Sequence, residues 1–423
     1  MKRYNAYKDS GVKWIGEIPS HWDTKQFRRF FLIKKDVANC LGYDVLSVTQ
    51  KGLKVKDIES NEGQMANDYS KYQIVEVGDF VMNSMDLLTG YIDCAKQKGV
   101  TSPDYKSFRV RQAINLNKQY YLYIFQFCYK GRIFYNLGRG VSNKGRWRLP
   151  SENLNRFMLP VPPLHEQQAI VDYLKDKTLK IEQYVSARER ERELLDSLKQ
   201  SEIANIVTRG LNPNVKMKDS GIPWIGEIPE HWEPCRNKDI FEESKKIVGE
   251  NSSDYVLLSL TKQGVIVRDL SENKGKFPKE FNTYKVVEPG DMIFCMFDVD
   301  ETPRTVGLSQ NHGMITGAYD VFKIKRVLPK FALYYYLSID DRKALRPLYK
   351  GLRKVVPLPT FMSSKIFLPP LSEQQAIVAY IDEKLQKIDQ YMCDLQREID
   401  YLKEFKQRLI SDAVTGQLCV TKQ

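Results

Sequence analysis

Two long segments of the sequence occur twice, and this duplication constrains the fold more than any other feature. Residues 8–22 read KDSGVKWIGEIPSHW, and residues 218–232 read KDSGIPWIGEIPEHW; we call these the WIGEIP segments. The PPL segments follow in the same order, PPLHEQQAIV at 162–171 and PPLSEQQAIV at 369–378. Solenoid repeats recur every 20–50 residues or so, whereas this period is about two hundred residues. We therefore expect a tandem duplication of a whole module.

Between these segments lie two variable regions, which diverge in sequence but keep a shared skeleton. YDVLSVT at 43–49 parallels YVLLSLT at 255–261, and YQIVEVGD at 72–79 parallels YKVVEPGD at 284–291. Alternating apolar residues predict short strands, and the sequence shows them at 44–49, 286–287 and 292–297. Two aromatic stretches, at 120–129 and 331–337, predict buried helices whose rings belong to the core rather than to a base-stacking platform.

Each PPL segment leads into a predicted long helix. Ser372 with Gln375 fits a capping box, Glu373 puts a negative charge in the first turn, and His165 with Gln168 is the weaker counterpart. Seven-residue spacing of apolar residues predicts coiled-coil packing. In the second helix the spacing is regular at Ile381, Ile388, Leu395, Leu402 and Leu409, with a companion row at Val378, Leu385, Met392, Ile399 and Ala413 that Lys406 breaks. In the first helix Leu174, Ile181, Val185, Leu195 and Ile206 keep the seam, but Arg188, Arg192, Lys199 and Glu202 interrupt it. The sequence gives no firm explanation for these interruptions; pairing with acidic groups on a partner is one possibility.

Geometry favours antiparallel pairing of the two helices. A helix of about 42 residues is roughly 60 Å long. Because duplicated units commonly associate about a two-fold axis, the helices would run in opposite directions and separate two binding regions like a ruler. The alternative is two amphipathic helices that belong to separate domains.

A basic stretch near the end of each variable region is a candidate for DNA contact. Residues 139–148 read RGVSNKGRWR, and residues 350–354 read KGLRK. Arg and Lys bind guanine edges or phosphates, and Asn pairs with adenine; the alternative is a solvated loop. The candidate residues are Arg139, Asn143, Lys144, Arg146 and Arg148 in the first region and Lys350, Arg353 and Lys354 in the second, with Asn83, Ser84, Arg304, Gln310 and Asn311 as further candidates.

Charge and composition agree with a polyanionic partner. The net charge is +12, and the pI is about 9.1, which favours phosphate neutralisation and counterion release. The seven cysteines form no Cys-x-x-Cys pair, a pattern typical of the reducing cytoplasm. Since the sequence has neither a long apolar run nor a signal-peptide stretch, we expect a cytoplasmic protein.

In the order of these motifs the sequence resembles the specificity subunits of type I restriction–modification enzymes. The resemblance implies an α+β protein with a pseudo-two-fold internal repeat, in which two mixed α/β target-recognition domains are separated by two long helices packed as an antiparallel coiled coil. The domains would span 1–161 and 210–368, and the spacer helices 162–209 and 369–423. It also implies a bipartite, asymmetric site on double-stranded DNA, two adenine methyltransferase subunits bound to the helices, and an ATP-dependent translocating restriction subunit.

The motifs of catalysis are missing from the sequence. It contains no GxxxxGK[ST] loop and no Asn-Pro-Pro-Tyr-like segment for a flipped adenine. The four histidines show no metal-binding pattern, and we expect His21 and His231 to be structural. Asp269, Glu272 and Lys274 resemble a nuclease set only by chance spacing. We therefore expect no catalytic residues, no metal and no cofactor. Two rival functions stay open: an enzyme with its own catalytic site, and a scaffold that joins two proteins without binding DNA.

Overall fold

The computed structural model describes residues 2–57, 68–140, 147–268 and 281–421. The chain forms two compact units, of which the first contains Met1–Arg188 with Arg397–Gln423 and the second contains Glu189–Gln396. Each unit therefore combines one variable region with parts of both long helices. The sequence-based division into two recognition domains and two spacer helices, with boundaries at residues 161, 209 and 368, stays a prediction.

The first unit consists of short antiparallel strands and small helices. Strands β4, β11, β8 and β9 form a four-stranded sheet in that order, and the pairs β1–β2, β3–β12, β5–β6 and β7–β10 complete the unit. The strands are β1 (Tyr7–Asp9), β2 (Glu17–Pro19), β3 (Asp23–Gln26), β4 (Phe31–Lys34), β5 (Leu46–Thr49), β6 (Gly52–Val55), β7 (Gln73–Val75), β8 (Phe80–Met82), β9 (Ile92–Cys94), β10 (Gly99–Thr101), β11 (Lys106–Val110) and β12 (Met158–Val161). The helices are α1 (Phe27–Phe30), α2 (Lys118–Lys130), α3 (Ser151–Arg156) and the long α4 (Leu164–Arg209), with a 3-10 turn at Tyr135–Leu137.

The second unit repeats this topology strand for strand. Its four-stranded sheet has the order β16, β23, β20 and β21, and its strand pairs are β13–β14, β15–β24, β17–β18 and β19–β22. The strands are β13 (Met217–Asp219), β14 (Glu227–Pro229), β15 (Glu233–Arg236), β16 (Phe241–Glu243), β17 (Leu258–Thr261), β18 (Gly264–Val267), β19 (Lys285–Val287), β20 (Met292–Phe294), β21 (Val306–Leu308), β22 (Gly313–Ile315), β23 (Asp320–Ile324) and β24 (Lys365–Leu368). The helices are α5 (Asn237–Ile240), α6 (Pro329–Asp341), α7 (Leu358–Ser363) and the long α8 (Leu371–Val414), with 3-10 turns at Gly249–Asp254 and Arg346–Leu348.

The aromatic stretches form α2 and α6, as predicted. Asn117 caps α2 by accepting from the backbone N–H groups of Gln119 and Tyr120, and Pro329 begins α6, where its missing N–H costs nothing. The rings lie in the hydrophobic cores of the two units, so their assignment to the core is confirmed. The buried rings include Tyr120, Tyr121 and Phe125 in the first unit and Tyr334, Tyr335 and Tyr336 in the second.

The long helices begin at the PPL segments. Because α8 begins at Leu371, Ser372 lies inside the first turn and not at the expected capping position. Buried Gln374 joins this turn to α6: its Nε2 donates to the Pro369 carbonyl and its Oε1 accepts from the Leu328 N–H, both at 2.9 Å. Gln167 makes the same two bonds in the first unit, to Pro162 and Asn117. The duplicated Gln therefore fixes each long helix to the helix of its own variable region.

Within each unit the segments of α4 and α8 run antiparallel. In the first unit Glu182 pairs with Lys406 and Arg188 with Glu398. In the second unit Arg192 bonds Gln396, Lys199 pairs with Asp389 at 2.7 Å, and Glu202 pairs with Lys384 at 3.6 Å. Residue numbers rise along α4 while their partners' numbers fall along α8, so the antiparallel arrangement is confirmed.

These ion pairs explain the interruptions in the heptad pattern. The four polar residues that break the seam of α4 each bond a polar residue of α8, and Lys406, which breaks the companion row of α8, pairs with Glu182 of α4. The apolar seam residues lie mostly in the cores: Leu174 and Leu409 are buried in the first unit, Ile381 in the second, and Leu395 is 2% exposed. Ile181, Leu195, Ile388 and Leu402 are half-buried.

The fold class predicted from the sequence is confirmed by the two mixed units and the antiparallel long helices. In the described part of the chain, no helix combines the length and apolarity that a membrane span requires.

Candidate nucleic-acid interface

A basic hairpin closes each variable region. In the first unit the stem is Arg139 and Arg148, whose backbone N–H groups donate to each other's carbonyls at 2.8 and 3.0 Å. In the second unit Lys350 and Val355 form the same bridge, also at 2.8 and 3.0 Å. Each hairpin follows a 3-10 turn and precedes a short helix. The two basic stretches found in the sequence are therefore equivalent structural elements.

The stems are anchored to their units in the same way. The Leu149 N–H donates to the Ser84 carbonyl at 2.9 Å, and the Val356 N–H donates to the Met296 carbonyl at 2.8 Å. Ser84 follows β8, and Met296 follows the equivalent β20. Each stem is therefore joined by a backbone hydrogen bond to the residue two positions after the equivalent strand of its sheet.

Several candidate residues are free to meet a polyanion. Arg139 and Arg148 are exposed, and neither guanidinium has an ion-pair partner in the described part of the first unit. Arg353 is exposed at the tip of the second hairpin, where its carbonyl accepts from the Asp298 N–H at 2.9 Å. Lys350 is exposed as well. Asn143, Lys144 and Arg146 lie outside the described residues.

The structure gives Ser84 and Arg304 internal partners. Ser84 is fully buried, and its hydroxyl donates to the Asp104 carbonyl at 3.0 Å. Arg304 pairs with Asp340 at 3.2 Å and Asp341 at 2.8 Å, and its side chain is only 17% exposed. Because Ser84 is 0% exposed and its single donor is used by the Asp104 carbonyl, and because two carboxylates neutralise Arg304, we leave both out of the proposed interface.

The other candidates outside the hairpins occupy turns. Asn83 is half-buried, and its Oδ1 accepts from the Met85 N–H at 3.1 Å. Gln310 is exposed and Asn311 half-buried in the turn between β21 and β22. In the described structure, neither the Gln310 nor the Asn311 side chain forms a hydrogen bond with a charged residue, so both side chains stay available for polar contacts.

Two functional candidates have no signal in the sequence. Asp300 accepts from Arg346 at 3.0 Å and from Lys354 at 3.1 Å, and so ties the second hairpin to the loop after β20. Lys106 is buried at the start of β11, and its Nζ donates to the Ser151 hydroxyl at 2.9 Å. Both contacts join residues that are 45 or more positions apart, whereas sequence patterns report only local spacing.

The WIGEIP segments have a structural role. The Trp22 indole donates to Glu166 at 3.0 Å, the Tyr4 hydroxyl donates to it at 2.7 Å, and His21 Nε2 lies 2.6 Å from its other oxygen. In the second unit Trp232 donates to Glu373 at 3.2 Å, and His231 Nε2 lies 2.8 Å from that carboxylate. Each segment thus connects to the first turn of the long helix, which confirms that these histidines are structural.

The described residues contain no cluster of His, Cys, Asp and Glu that could hold a metal ion. Asp269, Glu272 and Lys274 lie outside the described residues.

The comparisons with known proteins agree with this architecture. Residues 27–187 match the model of the type I restriction modification DNA specificity domain. The chain is 24% identical over 447 residues to the putative type I restriction enzyme MjaX specificity subunit of Methanocaldococcus jannaschii, covering 98% of both chains. It is 25% identical over 286 residues to the MjaVIII specificity subunit of the same organism, covering 62% of each.

The fold is similar to that of a solved chain from work on complex assembly and conformational transition of the type I R-M system. The TM-score is 0.66 at 13% identity, and the match covers 95% of this chain and 99% of that one. At this identity the likeness concerns the fold.

Proposed function

We propose that the chain is a specificity subunit of a type I restriction–modification enzyme and that it recognises a bipartite, asymmetric site on double-stranded DNA. In this proposal each variable region reads one half-site, and the long helices bind the subunits that carry out catalysis. The protein would act in the cytoplasm, where chromosomal DNA and those subunits are found.

The observation that carries the proposal is the pair of equivalent hairpins with different side chains. The bridge has arginine on both strands in the first unit, whereas the second unit has Lys350 opposite Val355. Each hairpin is anchored to the equivalent position of the same topology. Elements that occupy the same place but present different side chains would read different bases, which gives a non-palindromic target.

Arginine and lysine would divide the work of recognition. Arg139 and Arg353 are exposed, and a guanidinium bonds the O6 and N7 atoms of guanine in the major groove. Arg148 is exposed as well, and it would contact the DNA backbone. Lys350 and Lys354 would contact phosphates, which position a protein without specifying sequence. Asn83, Gln310 and Asn311 would add polar contacts, together with Asn143, Lys144 and Arg146 of the first basic stretch.

Exposed leucines on α4 support docking of other subunits. Leu179, Leu194 and Leu198 are 52, 62 and 53% exposed. Leucines on a long helix normally face a core, so these positions suit the apolar surface of a partner. We propose that two adenine methyltransferase subunits dock along the helices and that ATP-dependent restriction subunits join them. N6-adenine methylation and cleavage would belong to these partners, and this chain would be non-catalytic.

Base-modification sequencing of the host genome, with and without the gene, tests the proposal. We expect a two-part N6-methyladenine motif in the wild type that disappears on deletion and returns with a plasmid copy. A methylation pattern that does not change on deletion, in a host where the chain and a methyltransferase are both expressed, would contradict the proposal.

The two rival functions make different predictions. An enzyme with its own site would methylate or cleave DNA as the purified chain with added cofactors, whereas we expect no turnover. If the chain were only a scaffold, replacing the basic residues of the hairpins by neutral ones would leave the assembled complex unchanged. We expect instead that the double variant Arg148→Gln and Arg353→Gln loses DNA binding in the assembled complex. Leu194→Asp with Leu198→Asp should abolish co-purification of the methyltransferase, while Ser197→Asp, an exposed position of the same helix, should not.

A further inference from the structure

Lys106 lacks the partner that a buried ammonium normally has. It is 7% exposed, and its Nζ donates to the Ser151 hydroxyl at 2.9 Å. No carboxylate lies within ion-pair distance of Nζ among the described residues of the first unit. A buried charge usually pairs with an opposite one, because desolvation is costly. The site therefore carries a positive charge that its own unit does not neutralise.

Other lysines of the same fold show what a purely structural arrangement looks like. Lys34 on the adjacent strand is 5% exposed and pairs with Asp79 at 2.6 Å. In the second unit the position equivalent to Lys106, the first residue of β23, is Asp320, which pairs with Lys285 at 3.2 Å. In both pairs, Lys34–Asp79 and Lys285–Asp320, a buried or half-buried charge is neutralised by its partner. The lack of such a partner is therefore specific to Lys106 and is not shared by these other charged residues of the fold.

The neighbours of Lys106 add further positive charge. Strand β11 pairs with β4 so that Ser107 lies opposite Lys34, which puts Lys106 beside Lys35. Arg148 approaches from the hairpin stem, which is anchored next to Ser151 through the Leu149 bond to Ser84. Burial first, and then the charges of Arg148 and Lys35, lower the pKa of Lys106 to about 8. Arg148 and Lys35 thus lie close enough for their charges to act on Lys106.

We propose that Lys106, Arg148 and Lys35 bind one backbone phosphate of the first DNA half-site. The inference rests on the proposed function and gives it a contact that the second unit lacks at the equivalent position, since Asp320 would repel a phosphate there. A phosphodiester oxygen supplies the negative charge that the cluster lacks. The contact fixes the height of the first hairpin over the DNA and so positions Arg139 for base readout.

Salt dependence of DNA binding separates this role from a structural one. Each neutralised phosphate contributes about 0.9 to the slope of log K against log salt concentration. The experiment uses the full chain co-purified with its methyltransferase, a duplex carrying the methylated motif, and salt from about 50 to 200 mM. Lys106→Met should lower the slope by up to about 0.9, because Arg148 and Lys35 stay beside the same phosphate, and should weaken binding by up to roughly tenfold at low salt.

Matched variants keep the test informative. Lys106→Arg should restore the slope, and Lys98→Met, which removes an exposed lysine of the same unit paired with Glu76, should leave it unchanged. Arg148→Gln changes an exposed residue, so it tests the site even if Lys106→Met misfolds, and it should also lower the slope. A slope unchanged by Lys106→Met in folded protein, or by Arg148→Gln, overturns the inference.

Proton uptake is a second readout. The charged groups near Lys106 are Lys34, Lys35 and Asp36 on the β4 side, Arg148 on the stem and Asp104 before β11. A bound phosphate favours the protonated amine, so binding should take up protons near pH 8 and weaken as the pH rises above that value. Lys106→Met should abolish this uptake.

Two further outcomes separate the inference from the proposed function. If wild-type protein does not bind the methylated duplex, the proposed function fails and the inference with it. If inorganic phosphate binds at Lys106 while the DNA salt slope is the same in wild type and Lys106→Met, the site holds a free anion, and the DNA contact is wrong.

Discussion

The indole of Trp22 donates a hydrogen bond to the buried carboxylate of Glu166 at 3.0 Å, and Trp232 repeats the bond to Glu373 at 3.2 Å. One partner of each pair comes from a WIGEIP segment and the other from a PPL segment. In each unit, therefore, the WIGEIP segment and the PPL segment bind each other. Their similarity between the repeats reflects a common way to attach a domain to a long helix.

Glu166→Gln should lower the free energy of unfolding of the first unit. It should also make that free energy change less with pH in the acidic range. Burial would raise the pKa of Glu166, but hydrogen bonds from Tyr4, Trp22 and His21 hold it below its usual value. A lowered carboxylate pKa stabilises the fold above the unfolded value of about 4.3 and ceases to do so as the pH falls through the folded value. We expect a loss of about 1–3 kcal/mol at neutral pH that shrinks in acid, measured by hydrogen exchange of residues 4–22.

Glu373→Gln is the matched control for this prediction. Its side chain is 27% exposed, against 6% for Glu166, so the second unit should lose less. An equal loss in both units, or a loss for Glu166→Gln that does not change with pH, would contradict the account.

Leu395→Asp should open the helix pair in the second unit. Leu395 is 2% exposed, and a buried leucine replaced by a charged residue costs about 3–5 kcal/mol. Increased hydrogen exchange in α4 and α8, and lost co-purification of the methyltransferase, would show the effect. Cys393→Asp, at an exposed position of the same helix, should behave as wild type, and normal assembly of Leu395→Asp would refute the pairing model.

Arg139→Gln and Arg353→Gln should each relax one half of the target. The two side chains lie on equivalent hairpins of different units, and a lost arginine–guanine contact costs about 1–3 kcal/mol of discrimination. Base-modification sequencing should then show tolerance at one position of a single half-site for each variant. Relaxation of both half-sites by one variant would mean that the hairpins do not read DNA independently.

A stop codon after Gln407 should unfold the first unit and spare the second. Leu409, Val414 and Leu418 are buried in the first unit's core. The Tyr120 hydroxyl donates to the Val414 carbonyl at 2.9 Å, and the Tyr7 hydroxyl donates to the Gly416 carbonyl at 3.0 Å. Hydrogen exchange should rise across residues 4–160 and stay low in the core of 217–368. A stop codon after Val420 removes none of these groups and serves as the control.

Local patterns in the sequence predicted much of this fold. The PPL segments located the starts of α4 and α8 within two residues, and the aromatic stretches fell inside α2 and α6. The strand expected at 44–49 is Leu46–Thr49, and the one expected at 292–297 is Met292–Phe294. These elements follow from periodicity and punctuation by proline, which a single sequence displays directly.

Contacts between distant segments were beyond such patterns. Arg304 looked like a DNA ligand, but Asp340 and Asp341 of α6 neutralise it. The polar residues that interrupt the seam of α4 had no firm explanation in the sequence, and the structure shows that their partners lie on α8. In the sequence Lys106 is an ordinary lysine of strand β11. Only the structure shows that no carboxylate of the described residues pairs with it. Pairing of charges is a tertiary property, and no spacing rule encodes it.

The place of residues 409–418 in the first unit means that this unit cannot be completed until they have been synthesised. The second unit is one continuous stretch, Glu189–Gln396, and it is complete on the ribosome before those residues are made. Domains normally fold in the order of their synthesis, at roughly 5–20 residues per second. Here the segment that is synthesised first must wait for the segment made after the second unit. The aromatic core around Tyr120 and Phe125 thus stays incompletely covered until residues 409–418 have been made.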